Sequence, residues 1–190
     1  MHFDISSFLD FIKDRKSMRS FTKDSIDDQI LLQIIEAGRW APSVDNSQPW
    51  EFIIIKNKQT ILKLSNSAEH AKDLHEAPVL IAVVKNMIHE KEWLAKQLAY
   101  EQSVSCAGML MLLAIHELGL GAYWVNVERS TNNELLNLPN RYDIAYILAL
   151  GYVDTLKEAR LFHKSPDEHR RKNILDVTHL DKFNQPLTLN

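Results

Sequence analysis

The sequence predicts a domain that contains both α-helices and β-strands. Near the N-terminus, apolar residues recur at helical spacing, at Ile5, Phe8, Leu9 and Ile12, which is typical of an amphipathic helix. Short apolar runs such as Glu51–Lys56 are instead typical of buried strands. The chain has 190 residues, of which 45% are hydrophobic. That length allows one domain with a full hydrophobic core.

The remaining elements are predicted from the same two patterns. A capping box at Ser25–Asp28 begins a second helix, and a similar box at Thr131–Glu134 begins a later one. Gly119 is placed to end a long helix as its C-cap. The other predicted elements are helix Gln59–Glu76, strand Pro78–Val84, helix His89–Leu118, a strand within Gly119–Val127 and strand Ile144–Gly151.

Composition and charge exclude several classes of protein. The net charge is −3, whereas a nucleic-acid-binding domain would be expected to have a basic face. Cys106 is the one cysteine, so no internal disulfide forms, which suits a reducing cytoplasm. The N-terminus has no basic and apolar signal-peptide pattern. The apolar stretch Leu98–Leu120 is interrupted by Glu101, Gln102, His116 and Glu117, so we predict no membrane helix.

Arg15–Phe21, which we call the basic segment, concentrates anion-binding side chains. It contains Arg15, Lys16 and Arg19 together with two serine hydroxyls. The planar fork of arginine suits phosphate oxygens, and hydroxyls add short donors. The alternative is a solvated basic end of the first helix, because cations are favoured at helix C-termini.

Ala41–Trp50, which we call the proline bridge, connects a helix to a strand. Pro42 and Pro49 fix their own φ angles and disfavour helix at the preceding residue, so we predict that Ala41 and Gln48 are extended. A stiff segment with free amide and hydroxyl groups suits a planar polar ligand, and the alternative is a plain loop. The strand that follows is predicted to be central in its sheet because its residues are continuously apolar.

Other polar residues give weaker signals. His70, His75 and Glu76 do not have the spacing of a tetrahedral metal site, so we predict exposed helix residues and no metal. Cys106 is predicted to be a core residue, because no basic residue within a helical turn would lower its pKa. The glycines of Gly119–Val127 precede a strand and therefore do not form a dinucleotide fingerprint. No residue is identified as a general acid or base.

Three of these motifs, in this order, resemble signatures of the FMN-dependent nitroreductase family. Arg15, Lys16, Ser17 and Arg19 are similar to the first signature, which implies that they bind the FMN phosphate and ribityl chain, with Arg19 near the N1–C2 edge of the flavin. Pro42-Ser43-Val44, Asn46 and Gln48-Pro49-Trp50 look like the second signature, which reaches a flavin bound mainly to the other subunit.

The third signature is similar to Gly119–Val127, which implies that Asn126 and Val127 line the flavin near N5. The resemblance also implies a flavin contact from His70, where the family usually has asparagine, and a phosphate contact from Arg170 or Arg171. One departure is Val153, which stands where a proline usually follows glycine-tyrosine.

The resemblance covers nearly the whole chain and implies the rest of the prediction. The fold would be α+β, a single nitroreductase-like domain over residues 1–190 with a central mixed or antiparallel sheet flanked by helices, in an intertwined homodimer. The protein would use FMN and either NADH or NADPH to reduce nitroaromatics, quinones or similar small molecules by a ping-pong mechanism in the cytoplasm. The alternatives are a flavin-binding carrier or sensor without turnover, and an interaction domain without flavin.

Overall fold

The structure is a computed structural model and describes residues 4–67, 69–86, 94–162 and 171–187. The chain groups into two compact units, Met1–Glu158 and Ala159–Asn190. The single domain over residues 1–190 therefore stays a prediction. The larger unit contains a four-stranded sheet and most of the helices, and it also contains most of the residues singled out from the sequence.

The helices and strands of the larger unit alternate along the chain. The helices are α1 (Ile5–Asp14), α2 (Asp28–Arg39), α3 (Lys58–Ser65), α4 (Leu94–Glu117) and α5 (Arg129–Leu135), and α6 (Thr155–Phe162) crosses into the smaller unit. The strands are β1 (Trp50–Ile55), β2 (Val79–Asn86), β3 (Gly121–Val125) and β4 (Tyr142–Gly151). Short 3-10 helices cover Val44–Asn46, Glu69–Glu76 and Ile174–Val177.

The sheet has the order β1-β2-β4-β3, and every neighbouring pair is antiparallel. The prediction of an α+β fold with an antiparallel sheet is confirmed. The prediction that the first strand is central is wrong, since β1 pairs only with β2 among the described residues. β1 is apolar apart from the exposed Glu51, and the apolar clusters on the two faces of the sheet account for its composition without a neighbouring strand on both edges.

Two apolar clusters cover the two faces of the sheet. One contains Leu31 and Ile34 of α2 with Met111 and Ile115 of α4. The other contains Ile61 and Leu64 of α3 and further residues of the 3-10 helix that follows. α2 and α4 approach closely at Gly38, where an added Cβ would lie 2.7 Å from Cγ of Met111.

Helix α4 crosses the first of these faces. By length and composition alone it is also a candidate membrane span over Lys96–Glu117, a test that core helices pass as well. Val104, Ala107, Met111 and Ile115 of α4 are almost fully buried within the unit. The prediction that Cys106 is a core residue is wrong, since its side chain is exposed in the single chain. Helical periodicity places it on the side of α4 away from the sheet.

Most predicted helix boundaries shift by a few residues. α2 begins after Asp27, whose carboxylate accepts the Gln29 N–H at 2.7 Å, so the cap is two residues later than Ser25. α5 begins at Arg129 with no side-chain cap. The predicted helix Gln59–Glu76 divides into α3 and a 3-10 helix. Residues 89–93 of the predicted long helix lie outside the described residues.

Candidate functional site

The basic segment lies beside the edge strand β3. α1 ends at Asp14, and Arg15 has an extended backbone. Ser17 then forms a parallel bridge with Ala122, and the Met18 N–H donates to the Ala122 carbonyl at 3.0 Å. Farther on, the Thr22 N–H donates to the carbonyl of Tyr152 at 2.8 Å. The main chain of the segment is therefore fixed to β3 and to the residues just after β4.

Glu158 holds the middle of the basic segment. Its carboxylate accepts the N–H of Arg19 at 3.0 Å and the N–H of Ser20 at 2.6 Å. Glu158 is 5% exposed and lies in the first turn of α6. These two amides are already satisfied, so anion binding here would depend on side chains. Glu158 could not be found from the sequence, because the contact spans 139 positions and a lone glutamate in a helix carries no signal.

Arg15 and Lys16 line a cavity of about 310 Å³. Its opposite wall is apolar and includes Leu112 and Ile115 of α4. His116 also lines it, with Nε2 3.7 Å from a carboxylate oxygen of Asp14. Cations facing an apolar wall suit an anionic group attached to a larger apolar or aromatic body.

Arg19 occupies the other face of β3. Its guanidinium carbon lies 5.5 Å from the ring centroid of Tyr123, within the range of a cation–π contact. Side chains alternate along a strand, so Tyr123 and the cavity-lining Ala122 point to opposite faces. The cations of the basic segment therefore flank the β3 edge from both faces of the sheet.

Tyr123 has an unusual environment for a hydroxyl group. The side chain is 4% exposed, and its hydroxyl has no hydrogen-bond partner among the described residues. Burial raises the pKa of Tyr123 well above its usual value, and the charge of Asp73 adds to the effect. The hydroxyl therefore stays protonated at neutral pH and keeps a donor available beside Arg19.

The proline bridge contains several left-handed residues. Asp45, Asn46 and Gln48 have φ angles of 50°, 52° and 45°. The prediction that Gln48 is extended is therefore wrong. The Gln48 N–H donates to Oγ of Ser43 at 3.0 Å, and its side-chain amide donates to the Asn46 carbonyl at 3.3 Å. These local bonds offset the steric preference of a residue before proline for extended backbone.

The proline bridge is anchored on helix α4. The Val44 N–H donates to Oγ of Ser103 at 3.3 Å, and that hydroxyl donates to the Ala99 carbonyl at 2.7 Å. Along α4, Ser103 lies twelve residues before Ile115, which lines the cavity beside Arg15. At 1.5 Å per residue, this separation is about 18 Å. Within one chain, the bridge and the cavity of the basic segment are therefore apart.

The third motif is held in place by aromatic packing. Trp124 stacks on Tyr146 with ring centroids 3.4 Å apart, and an added Cβ at Gly108 of α4 would lie 2.5 Å from the Trp124 ring. Trp124 Nε1 donates to Oδ1 of Asn126 at 3.2 Å. The Asn126 side chain is exposed at the end of β3, and Val127 follows it half-buried.

The remaining predicted contacts are less defined. The backbone of His70 belongs to the 3-10 helix Glu69–Glu76, and its side chain lies outside the described residues. Arg170 also lies outside them, and Arg171 belongs to the smaller unit. No group of three or more metal-binding side chains occurs in the described ranges. The roles of all these residues in flavin binding stay predictions.

Comparison with known proteins identifies the family. The model of the nitroreductase family matches residues 12–73 and 65–152, which is more than half of the chain. The chain therefore belongs to the nitroreductase family. The prediction drawn from the three motifs is confirmed.

Individual relatives agree with this assignment. A protein of Archaeoglobus fulgidus, provisionally named NADH dehydrogenase/NAD(P)H nitroreductase, is 29% identical over 87% of this chain and 95% of its own length. The crystal structure of a nitroreductase family protein from Clostridium difficile 630 is similar with a TM-score of 0.75 and 26% identity, covering 96% of this chain and 99% of that chain. An FMN-dependent nitroreductase from Clostridium difficile R20291 has a TM-score of 0.73 and 25% identity, over 92% and 99% of the two chains.

Relatives with other reactions are similar as well. An iodotyrosine deiodinase of Hydra vulgaris is 27% identical over 73% of this chain and 62% of its own length. A 5,6-dimethylbenzimidazole synthase of Rhodospirillum rubrum is 27% identical over 73% of this chain and 78% of its own length. The family therefore does not by itself define the electron acceptor.

Proposed function

We propose that this protein is an FMN-dependent oxidoreductase that uses NADH or NADPH to reduce small molecules such as nitroaromatics and quinones. Membership in the nitroreductase family supports the enzyme class, and the names of the relatives support FMN and a nicotinamide donor. The observation that carries the proposal is the basic segment. Its main chain is fixed by Glu158 and β3, which leaves the side chains of Arg15, Lys16 and Arg19 for a ligand.

The chemistry of these side chains fits the flavin cofactor. Arg15 and Lys16 line a cavity with an apolar wall, which suits a phosphate attached to a larger body, and Ser17 adds a hydroxyl donor. When bound, FMN supplies the transfer of electrons between the nicotinamide and the acceptor. We propose that Asn126, Val127 and His70 contact the ring system, and that Arg170 or Arg171 adds a phosphate contact.

Arg19 would provide the main electrostatic effect. Its guanidinium lies over the Tyr123 ring, which restricts its position before any ligand binds. A positive charge held at the N1–C2 edge of the flavin stabilises the negative charge that develops on reduction. No residue is assigned as a proton donor, and water can serve this role.

We further propose that the protein works as a homodimer. Ser103, which anchors the bridge, lies about 14 Å along α4 from Leu112 and about 18 Å from Ile115, which both line the cavity. Residues Pro42, Ser43, Val44, Asn46 and Gln48 would therefore contact a flavin held mainly by the other subunit. A stripe of α4 supports this proposal. It contains Leu98 and Met109, which are 53% and 40% exposed, together with exposed Cys106. We propose that these exposed side chains form part of the contact between the subunits.

The first experiment is the visible absorption spectrum of the purified protein, before and after NADH or NADPH is added without oxygen. We expect flavin bands that bleach with at least one nicotinamide. Bands that persist with both would favour the carrier or sensor function. The absence of flavin bands, also after incubation with FMN, would contradict the proposed function.

Two variants test the site assignment. Arg15→Ala and Arg19→Ala should each weaken FMN binding about tenfold or more, because each removes a charged partner of an anionic ligand. Lys13→Ala is the matched control, since Lys13 is exposed and pairs with Asp10 at 3.0 Å. FMN fluorescence titration measures the affinity. Unchanged affinity and turnover in both arginine variants would contradict the assignment. Location in the cytoplasm is part of the same proposal, and the single cysteine suits that reducing compartment.

A further inference from the structure

A second cavity, which we call the lysine cavity, lies apart from the proposed flavin site. Its volume is about 470 Å³, and it shares no lining residue with the cavity beside Arg15. Three lysines, Lys23, Lys56 and Lys58, line it together with an apolar floor. The volume falls within the range of about 300–1,000 Å³ that is typical of small-molecule sites.

The floor of the lysine cavity is built from the core. Ile61, Ala77 and Val79 line it and are 4%, 4% and 2% exposed. Leu62 of α3 also lines the cavity and is 52% exposed. A ligand with an apolar body would cover this exposed leucine side chain and remove its surface from water. Burial of apolar surface would therefore favour binding.

The rim of the lysine cavity is cationic although the whole chain has a net charge of −3. Its lysines come from three places in the chain: the loop before α2, the residue after β1 and the first residue of α3. Lys23 Nζ lies 3.7 Å from a carboxylate oxygen of Glu76, and Lys56 contacts Asp28. Lys58 forms no ion pair with any residue in the part of the chain that the structure describes. Positive charge gathered around a cleft attracts anions.

Lys58 also lies at a favourable position of the backbone. It is the first residue of α3, and the Asn57 side chain caps this helix by accepting the Thr60 N–H at 3.0 Å. The positive end of the helix dipole and the Lys58 ammonium therefore act on the same region of the rim. Their effects on an anionic head group would add.

We propose that the lysine cavity binds an amphipathic anion, in which one carboxylate or phosphate head is attached to an apolar chain or ring of modest size. The head would contact Lys58 and the neighbouring lysines, and the apolar body would lie on Ile61, Ala77 and Val79. This proposal does not depend on the flavin function, because the two cavities have no lining residue in common.

The test is a titration of the purified protein with sodium octanoate, followed by NMR of labelled Ile, Ala and Val methyl groups. Methyl signals of Ile61, Ala77 and Val79 report on the lysine cavity, and those of Ile115 report on the cavity beside Arg15. Octan-1-ol and inorganic phosphate are titrated in parallel, because they separate the apolar part of the ligand from its charge.

We expect octanoate to shift the signals of the floor residues and to bind more tightly than octan-1-ol or phosphate alone. Lys58→Glu should weaken octanoate binding about tenfold, since it reverses one charge close to the head group. Lys63→Glu is the matched control, because it makes the same charge change on the same helix at an exposed position that does not line the cavity.

Four results would overturn the proposal. Equal binding of octan-1-ol and octanoate would indicate an apolar patch without an anion site. Phosphate that binds as tightly as octanoate would indicate an anion site without an apolar subsite. Octanoate that leaves the floor signals unchanged, or equal affinity of the Lys58→Glu and Lys63→Glu variants, would contradict the assignment of the cavity.

Discussion

The basic segment and the proline bridge are both irregular segments next to the sheet, but they differ in whether their own side chains help to hold the backbone. In the basic segment the main chain makes the tertiary bonds: it donates to the Ala122 carbonyl and the Glu158 carboxylate, and the Ser20 carbonyl accepts the Asp154 N–H. In the bridge, side chains hold the backbone: Ser43 accepts the Gln48 N–H, and Ser103 accepts the Val44 N–H.

This difference indicates how each segment can take part in binding. The arginine and lysine side chains of the basic segment are long and charged, and anchoring through the main chain leaves them for a ligand. The side chains of Ser43 and Gln48 are already used to keep three residues in left-handed conformation. The bridge can therefore present a fixed backbone surface. Such a surface suits packing against a planar ring better than binding a phosphate group.

The strongest test of this comparison is Glu158→Ala. It leaves the N–H groups of Arg19 and Ser20 without their acceptor, and each unsatisfied amide costs about 1–3 kcal/mol. We expect the free energy of unfolding to fall by about 3 kcal/mol, measured by urea denaturation with circular dichroism. Glu117→Ala is the control, because Glu117 is exposed at the end of α4. Equal stability of the two variants would show that Glu158 does not anchor the segment.

A smaller effect is expected from Ser103→Ala, which removes the acceptor of the Val44 N–H. Loss of one partly buried hydrogen bond should lower the free energy of unfolding by about 1 kcal/mol. It should also speed hydrogen exchange at the Val44 amide. Ser105→Ala is a close control, since the Ser105 hydroxyl bonds only to the Glu101 carbonyl within α4 among the described residues. Equal hydrogen exchange at the Val44 amide in both variants would show that Ser103 does not anchor the bridge on α4.

The smallest effect is expected from Ser43→Ala. The bond from the Gln48 N–H to Ser43 Oγ lies near the surface, where water can replace the lost acceptor. We expect a loss of about 0.5 kcal/mol in the free energy of unfolding, with faster hydrogen exchange at Gln48. Ser47→Ala, in the same loop at an exposed position, should leave both quantities unchanged. If hydrogen exchange at the Gln48 amide does not differ between the Ser43→Ala and Ser47→Ala variants, the bond to Ser43 does not hold the left-handed turn.

The sequence predicted those parts of the fold that depend on local pattern. Helical spacing and apolar runs placed the helices and strands because periodicity is a property of neighbouring residues. The sequence pattern could not place β1 at the edge of the sheet, since an apolar run has the same composition in a central strand and in an edge strand. Gln48 was predicted wrongly because the local bond from its N–H to Ser43 offsets the preference that Pro49 imposes, and the residue types alone do not show that this bond forms.

The candidate site likewise contains residues that could be predicted from the sequence and residues that could not. The basic residues and the family motifs are contiguous and could be found by reading the chain. Glu158 and Ser103 support those motifs from distant positions, and only the folded backbone brings them close. Cys106 was assigned to the core because no basic residue within a helical turn would lower its pKa, although its side of α4 is open in the single chain.

The separation of the two segments along α4 also has a genetic consequence. In the proposed homodimer, each flavin would need the basic segment of one subunit and the bridge of the other. A chain with a damaged basic segment and a chain with a damaged bridge would each be inactive alone. A mixed pair of them would contain one site with both defects and one site with neither. Two loss-of-function alleles of this protein could therefore complement each other when expressed together.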